Sequence, residues 1–267
     1  WGIDSELHEF GEWDGWERGV THIDMTSPRT RTLYGMQLAY SPSTSEDGIE
    51  GEIVFIPEVE NKEEFADWLK TIKGKFVLSS MYQPSGRPDY NWEKFATEKS
   101  LQKIRKERQE AARKWSANFR KMGVNRRNIN NTLEEAGAIG LLSNNWAGGF
   151  GANRIFSAGT KNIPNIDLRL EDYTMLYRMV KSGANPKVKV VATSKDLGTV
   201  PTFNTLAMIK GVEKPEEYVI LSAHFDSWDG ATGATDNGTG TIVMMEAMRI
   251  LKAVYPNPKR TILVGHW

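Results

Sequence analysis

Apolar residues recur along the chain at two periods, and their order predicts a mixed α/β fold. A two-residue alternation or a short continuous apolar run predicts strands, and a three- to four-residue repeat predicts helices. The predicted strands are 32–40, 50–56, 75–78, 138–143, 188–193, 205–209, 218–224 and 260–264. The predicted helices are 63–72, 90–122, 171–181 and 241–254.

The first 30 residues show neither period and are rich in tryptophan and glycine. Tryptophan at this density is most often used for packing in a core or an interface. We therefore interpret this segment as a short helix or an irregular stretch that docks on a larger body.

Residues 218–264 predict a strand, a helix and a second strand, which is the order of a βαβ unit. The run 218–224 is continuously apolar, and this is typical of a strand in a sheet that is buried on both faces. Open α/β sheets bind ligands beyond the carboxyl ends of their strands. The residues that directly follow position 224 are therefore where chemistry is expected.

The predicted helix 90–122 carries many Lys and Arg residues on its polar face. One interpretation is a surface for anions or nucleic acid, and the other is a solvated helix face. No aromatic stacking platform accompanies the helix. In the whole chain 34 Lys and Arg balance 34 Asp and Glu. We favour the solvated face and expect no nucleic-acid partner.

Composition excludes several other classes of protein. The chain of 267 residues contains no cysteine, which removes disulfide scaffolds, cysteine-ligated zinc and cysteine nucleophiles and leaves His, Asp and Glu as metal ligands. No apolar run approaches the ~18–20 residues that a membrane span requires. The amino terminus does not resemble a signal peptide.

Three potential metal-site residues follow the apolar run 218–224. His224 and Asp226 are two positions apart, so in an extended segment their side chains project to the same side. One can then bind a metal while the other accepts the free ring N–H. Asp236 comes ten residues later, next to small residues and just ahead of a predicted helix. The residues themselves leave two interpretations open: a metal site, or a hydrogen-bonded His with a capping Asp.

Residues 222–227 and 233–240 resemble the di-zinc M28 peptidase family, whose pattern is H-x-D-S followed by G-A-x-D-[DN]-G-x-G. The resemblance implies that His224 binds one zinc, that Asp236 bridges two zincs and that Asp226 supports His224. It also implies a cis peptide bond between Asp236 and Asn237. The implied activity is that of a zinc-dependent exopeptidase, which hydrolyses peptide substrates through a metal-activated water. The motif favours the carboxypeptidase Q-like branch, with aminopeptidases close behind.

The middle of the chain resembles a protease-associated (PA) domain inserted in such peptidases. Its landmarks are residues 52–55, 74–78, 135–140 and 164–166, in that order. The expected organisation is an amino-terminal docking segment (1–34), a β-rich PA-like domain (35–196) with a helical insertion at about 90–123, and an incomplete M28 domain (197–267). The expected fold class is thus α/β, with part of a mixed peptidase sheet. A non-catalytic binding or substrate-access role of the PA-like part is the alternative function.

The resemblance places further functional groups beyond Trp267. In the family a Glu-Glu pair follows the strand equivalent to 260–267, and one Glu is the general base. The chain is therefore expected to be a fragment that binds zinc weakly or not at all and lacks peptidase activity. His266 is not assigned as a ligand. Secretion or export to the periplasm is expected because PA-containing members are commonly exported. Substrate side-chain preference and oligomeric state stay open.

Overall fold

The computed structural model describes residues 1–152, 155–228 and 230–267. The chain divides into two compact units, which we call the discontinuous unit (1–15 and 196–267) and the central unit (16–195). The three-part domain division expected from the sequence stays a prediction. The strands are β1 (Asp4–Ser27), β2 (Arg31–Leu33), β3 (Gly35–Gln37), β4 (Ile49–Phe55), β5 (Phe76–Leu78), β6 (Gly140–Ser143), β7 (Asn165–Leu168), β8 (Lys187–Ile209), β9 (Lys214–Ala223) and β10 (Arg260–His266). The helices are α1 (Lys62–Leu69), α2 (Asp89–Phe95), α3 (Glu98–Met122), α4 (Ile129–Glu135), α5 (Leu170–Lys181) and α6 (Thr239–Val254).

The central unit is built on a mixed sheet in the order β2-β1-β8-β4-β5-β6-β7-β3. Strands β4, β5, β6 and β7 are parallel, and β3 pairs with β7 in the antiparallel sense. Short central strands with a fully buried sequence, such as β5 and β6, are typical of a sheet that is covered on both faces. The predicted mixed α/β class is confirmed by this sheet and its helices.

Two apolar clusters cover the faces of this sheet. One contains Phe76, Tyr173 and Leu176, with α5 packed over it. The other contains Val77, Phe119 and Leu133, under α1, α3 and α4. Neighbouring residues of one strand therefore point into different cores, as the two-residue period of a strand requires.

The discontinuous unit contains the predicted βαβ arrangement. Strands β9 and β10 are parallel, with Ile262 opposite Val219, and α6 connects them. On its other side β10 pairs with the 205–209 part of β8 in the antiparallel sense. A small core forms around Met248 of α6 and Ile262 of β10.

The short helix or irregular stretch expected in the first 30 residues was wrong, because residues 4–27 form the long strand β1. Within the central unit Ile23 and Met25 are buried and pair with Leu33 and Arg31 of β2. The alternation is visible only in this last part of the strand. Pairing with distant strands decides the conformation where local composition does not.

Two further boundaries differ from the prediction. The single helix expected at 90–122 is two helices, since Ala96 is extended and the Thr97 hydroxyl accepts a hydrogen bond from the Ser100 amide at 3.3 Å. This is an N-cap that starts α3. The two strands expected at 188–193 and 205–209 are one strand, β8. Each end of β8 has its own antiparallel partner, so the polar residues near position 196 do not end it.

Strand β9 is less buried than its sequence predicts. The side chains of Tyr218, Val219 and Ile220 are about half exposed. Among the described residues β9 pairs with β10 alone, so one of its edges and much of its apolar surface are open. The expectation of a strand buried on both faces is therefore wrong for this structure.

Carboxylates accompany the basic face of α3. Arg105 pairs with Glu93 at 2.8 Å and Lys121 with Glu60 at 2.8 Å. Arg108 of α3 pairs with Asp89, and its guanidinium lies over the Trp146 ring. These pairs offset the positive charge that an electrostatic nucleic-acid footprint needs. None of the described helices is both long and apolar enough to cross a lipid bilayer.

Asp172 at the start of α5 is a buried carboxylate that is fully paired. It accepts hydrogen bonds from Arg169 at 2.7 Å, from Arg31 at 3.0 Å and from the Tyr34 amide at 2.9 Å. The hydrogen bond with Asp172 raises the pKa of Arg169. The cluster ties β2 and the residue before β3 to α5.

We predict that Asp172→Ala lowers the free energy of unfolding by about 3 kcal/mol, because it leaves two guanidinium groups without their shared acceptor. Asp67→Ala is the control: Asp67 pairs with Lys70 at 2.6 Å, but both side chains are about three-quarters exposed. That variant should lose less than about 1 kcal/mol. Urea unfolding measures both, and equal losses would contradict a structural role for Asp172.

Because Asp167 on β7 is buried, we predict that the free energy of unfolding depends on pH. Burial raises the pKa of Asp167 to about 7, against the opposing effect of hydrogen bonds from Asn145 and Ser143. The folded state thus keeps a proton that the unfolded chain, with a pKa near 3.8, releases. The stability contributed by this group is complete below about pH 4 and is lost as the pH rises through about 7. The loss amounts to at most about 4 kcal/mol.

Asp167→Asn should remove this part of the pH dependence in unfolding experiments between pH 4.5 and 8. Asp24→Asn serves as the control, because the Thr32 hydroxyl lowers the pKa of Asp24. Its contribution is lost only at acid pH, so the slope between pH 4.5 and 8 should stay that of the wild type. An unchanged slope in Asp167→Asn would contradict the prediction.

Candidate metal centre

His224 lies directly after the last residue of β9, at the carboxyl end of the β9–β10 pair. The apolar sequence of β9 and its parallel pairing with β10 set this position. About 41% of the His224 side chain is exposed, so the ring faces accessible space. The structure therefore places His224 where open α/β sheets bind ligands.

Asp236 reaches the same point from the turn Ala234–Gly238, which precedes α6. The Gly238 amide closes the turn with a 2.8 Å hydrogen bond to the Gly233 carbonyl. Gly233 has a φ of +65°, and a Cβ there would lie 2.8 Å from the Ser227 side chain. Only glycine satisfies both conditions without strain. The bond between Asp236 and Asn237 is cis, as the family resemblance implied.

The imidazole of His224 lies between two carboxylates. Its Nε2 is 2.9 Å from Asp236 Oδ1, and its Nδ1 is 3.0 Å from Asp226 Oδ1. Partial desolvation lowers the pKa of His224, but the hydrogen bonds that its ring donates to Asp226 and Asp236 together outweigh this effect, so the pKa is raised. A further contact that the sequence did not reveal is a 3.4 Å hydrogen bond from the Thr241 hydroxyl to the His224 carbonyl.

These atoms fit two ligands of one zinc ion and a supporting group. Zinc binds imidazole nitrogen and carboxylate oxygen at about 2.0–2.2 Å, which places neighbouring ligand atoms roughly 3 Å apart. The Nε2–Oδ1 separation of 2.9 Å is close to that value. Asp226 occupies the other ring nitrogen, which is how proteins orient a metal-binding His. Within the described residues, however, no group of three or more His, Asp or Glu side chains could hold a metal ion.

A second His-x-Asp pair shows what distinguishes this site. His22 and Asp24 on β1 are also two residues apart, and His22 Nε2 lies 2.9 Å from Asp24 Oδ2. The short motif therefore forms a hydrogen bond at both places. Among the described residues only the His224 pair brings a second carboxylate to the other ring nitrogen.

His266 is not part of this arrangement. Its side chain is buried near the end of β10, and its ring centroid lies 6.0 Å from that of Phe225. Neither ring nitrogen has a hydrogen-bond partner within the described residues. Among the described residues, no hydrogen bond joins the His266 ring to His224, Asp226 or Asp236.

The chain is similar to known metallopeptidases in sequence and in fold. Residues 204–267 match the family model described as peptidase family M28. Carboxypeptidase Q of Mus musculus is 27% identical over 252 residues, which cover 94% of this chain and 47% of that protein. Residues 204–267 are thus similar to the M28 family, and most of the chain is similar to carboxypeptidase Q. It spans about half the length of the curated relatives it matches.

Solved structures show the same fold. A peptidase M28 precursor from Shewanella amazonensis SB2B matches 99% of this chain and 54% of its own, with a TM-score of 0.62 and 21% identity. The structure of BSAP, a zinc aminopeptidase from Bacillus subtilis, matches 99% of this chain and 51% of its own, with a TM-score of 0.60 and 20% identity. Both likenesses extend over nearly the whole described chain and establish its fold.

Proposed function

We propose that this chain contributes part of the active site of a zinc-dependent exopeptidase that acts on peptides. His224 and Asp236 are the proposed zinc ligands. Asp226 is the proposed positioning residue, which holds the His224 ring by its Nδ1. The observation that carries the proposal is the placement of one imidazole between two carboxylates at the end of β9.

Each of these residues has a definite task in the proposed site. Asp226 accepts a hydrogen bond from the Nδ1–H of His224. The ring proton therefore stays on Nδ1, and Nε2 is left free to coordinate zinc. The turn that ends in Gly238 holds the Asp236 carboxylate toward the same point. Bound zinc would supply the Lewis-acid activation of the peptide carbonyl and of the attacking water. Among the described residues, Asp226 and Asp236 are the carboxylates paired with His224, and both already have a role in the proposed site.

The finer specificity rests on the sequence relatives. Carboxypeptidase Q of three mammals and an amphibian aligns with 94% of the chain at 25–27% identity. We therefore propose a carboxypeptidase rather than an aminopeptidase. Export from the cytoplasm is part of the same proposal and rests on the PA-like resemblance.

A second candidate function, a binding or substrate-access role for the central unit, is favoured by one observation. A cavity of about 620 Å³ opens in that unit, lined by polar and aromatic side chains. This role requires no metal and is compatible with the first.

Zinc titration of the 267-residue chain tests the ligand assignment. Because two protein ligands fall short of the usual three or four, we expect a Kd above about 1 µM by isothermal titration calorimetry. His224→Ala and Asp236→Ala should abolish this binding, and Asp226→Asn should weaken it about tenfold or more. We expect no hydrolysis of a blocked dipeptide by the chain.

His22→Ala is the matched control, because it removes the other His-x-Asp pair of the chain. It should leave zinc binding unchanged. Zinc binding that survives in His224→Ala, or that is lost in His22→Ala, would refute the assignment. Sub-micromolar affinity of the wild-type chain would show that more ligands are present than His224 and Asp236.

A further inference from the structure

The central unit contains a cavity of about 620 Å³ beyond the carboxyl ends of β5 and β6. This is within the usual size range of small-molecule sites, about 300–1,000 Å³. Residues 79–80, which follow β5, and 143–145, which end and follow β6, form part of its lining. The carboxyl ends of parallel strands are the usual binding edge of an α/β sheet. All these residues belong to the central unit, and neither His224 nor Asp236 is among the residues that line the cavity.

The described residues that line the cavity carry one positive charge and no negative charge. Arg126 is the one charged residue among the described residues that line the cavity, and no carboxylate lines it. Its Nη2 donates to the Ser116 hydroxyl at 2.5 Å, and its guanidinium lies 5.2 Å from the Phe119 ring centroid. Within the described residues Arg126 has no ion-pair partner, while many other Arg residues of the chain do. A lone, held guanidinium over a neutral cavity selects for one anionic group.

Neutral hydrogen-bond donors accompany this charge. The side chains of Ser79, Gln83 and Ser157 line the cavity and make no hydrogen bond with the described part of the chain. The nearby carboxylate of Asp167 is not among the groups that line the cavity. Its Oδ1 accepts hydrogen bonds from Asn145 and Ser143. The free donors are suited to the oxygens of a carboxylate and of the neighbouring amide.

The walls are aromatic and held in place. Trp115 and Phe119 of α3 pack edge to face with ring centroids 5.2 Å apart. The Trp146 indole donates to the Gly149 carbonyl at 2.7 Å, and Arg108 lies 4.7 Å from its ring centroid. Walls of this kind favour a ligand with an apolar side chain next to its anionic group. A simple phosphate ion would leave these aromatic surfaces without a contact.

The floor is also rigid. The Tyr173 hydroxyl donates to the Ser80 carbonyl at 2.5 Å and accepts from the Ser80 amide at 2.9 Å. The Ser80 hydroxyl in turn accepts from the Asn144 amide at 2.8 Å. Groups held in this way bind a ligand without a large cost of ordering.

We propose that this cavity binds a peptide by its free carboxyl terminus. Arg126 pairs with the terminal carboxylate, the free hydroxyl and amide donors bind its oxygens, and the aromatic walls pack on the last side chain. The binding involves no covalent step and no metal. It therefore stands or falls independently of the proposed zinc site.

The test is a calorimetric titration of the 267-residue chain with N-acetyl-alanyl-phenylalanine as the free acid and as the carboxy-terminal amide. The buffer is at pH 6 with EDTA, so that metal is absent and Asp167, with a pKa of about 7, is largely protonated. We expect the acid to bind at least tenfold more tightly than the amide, because only the acid forms a charge-assisted pair with Arg126. Arg126→Gln should reduce the affinity for the acid to that for the amide.

Arg127→Gln is the matched control, because Arg127 is adjacent to Arg126 and equally exposed but does not line the cavity. It should retain the wild-type affinity. Equal binding of acid and amide, no binding of either, or an unchanged affinity in Arg126→Gln would overturn the proposal. Displacement of the acid by an equal concentration of inorganic phosphate would also overturn it, since the site would then recognise a bare anion.

Discussion

The imidazole of His224 connects two elements that are separate in the sequence. Its Nε2 meets Asp236 of the turn before α6, and its Nδ1 meets Asp226 of the segment after β9. A ring that is held at both nitrogens has one orientation, and a metal-binding His requires such an orientation. The strand, the glycine-bounded turn and the parallel pairing of β9 with β10 all serve to bring these three side chains to one point.

The His22–Asp24 pair on β1 has only part of the arrangement found at His224. His22 and Asp24 form an equally short pair on β1, yet nothing in the described chain adds a second carboxylate to that ring. The His22 ring has a carboxylate at one nitrogen, whereas the His224 ring has a carboxylate at each nitrogen. His224 and Asp236 both lie within residues 204–267, the part of the chain that matches the M28 family model.

The central unit uses charged side chains in two ways. Asp172 is fully paired by two arginines and an amide, so its charge stabilises the sheet edge. Arg126 is different: it is anchored by Ser116 and Phe119, and it lines a cavity to which the described residues contribute no carboxylate. The contrast separates a structural charge, whose partners belong to the fold, from a charge that is available to a ligand.

The sequence by itself determined the mixed α/β class, the βαβ order of residues 218–264 and the identity of the three candidate site residues. Apolar periodicity and short-range spacing carry that information locally. It did not determine β1, the single strand β8 or the exposure of β9, because hydrogen-bonded partners that are distant in the sequence decide these features. The cavity beside Arg126 was equally hidden, since its lining comes from separate segments with no common motif. Only the tertiary structure could also show that Asp236, unlike any carboxylate near His22, reaches the second nitrogen of its histidine.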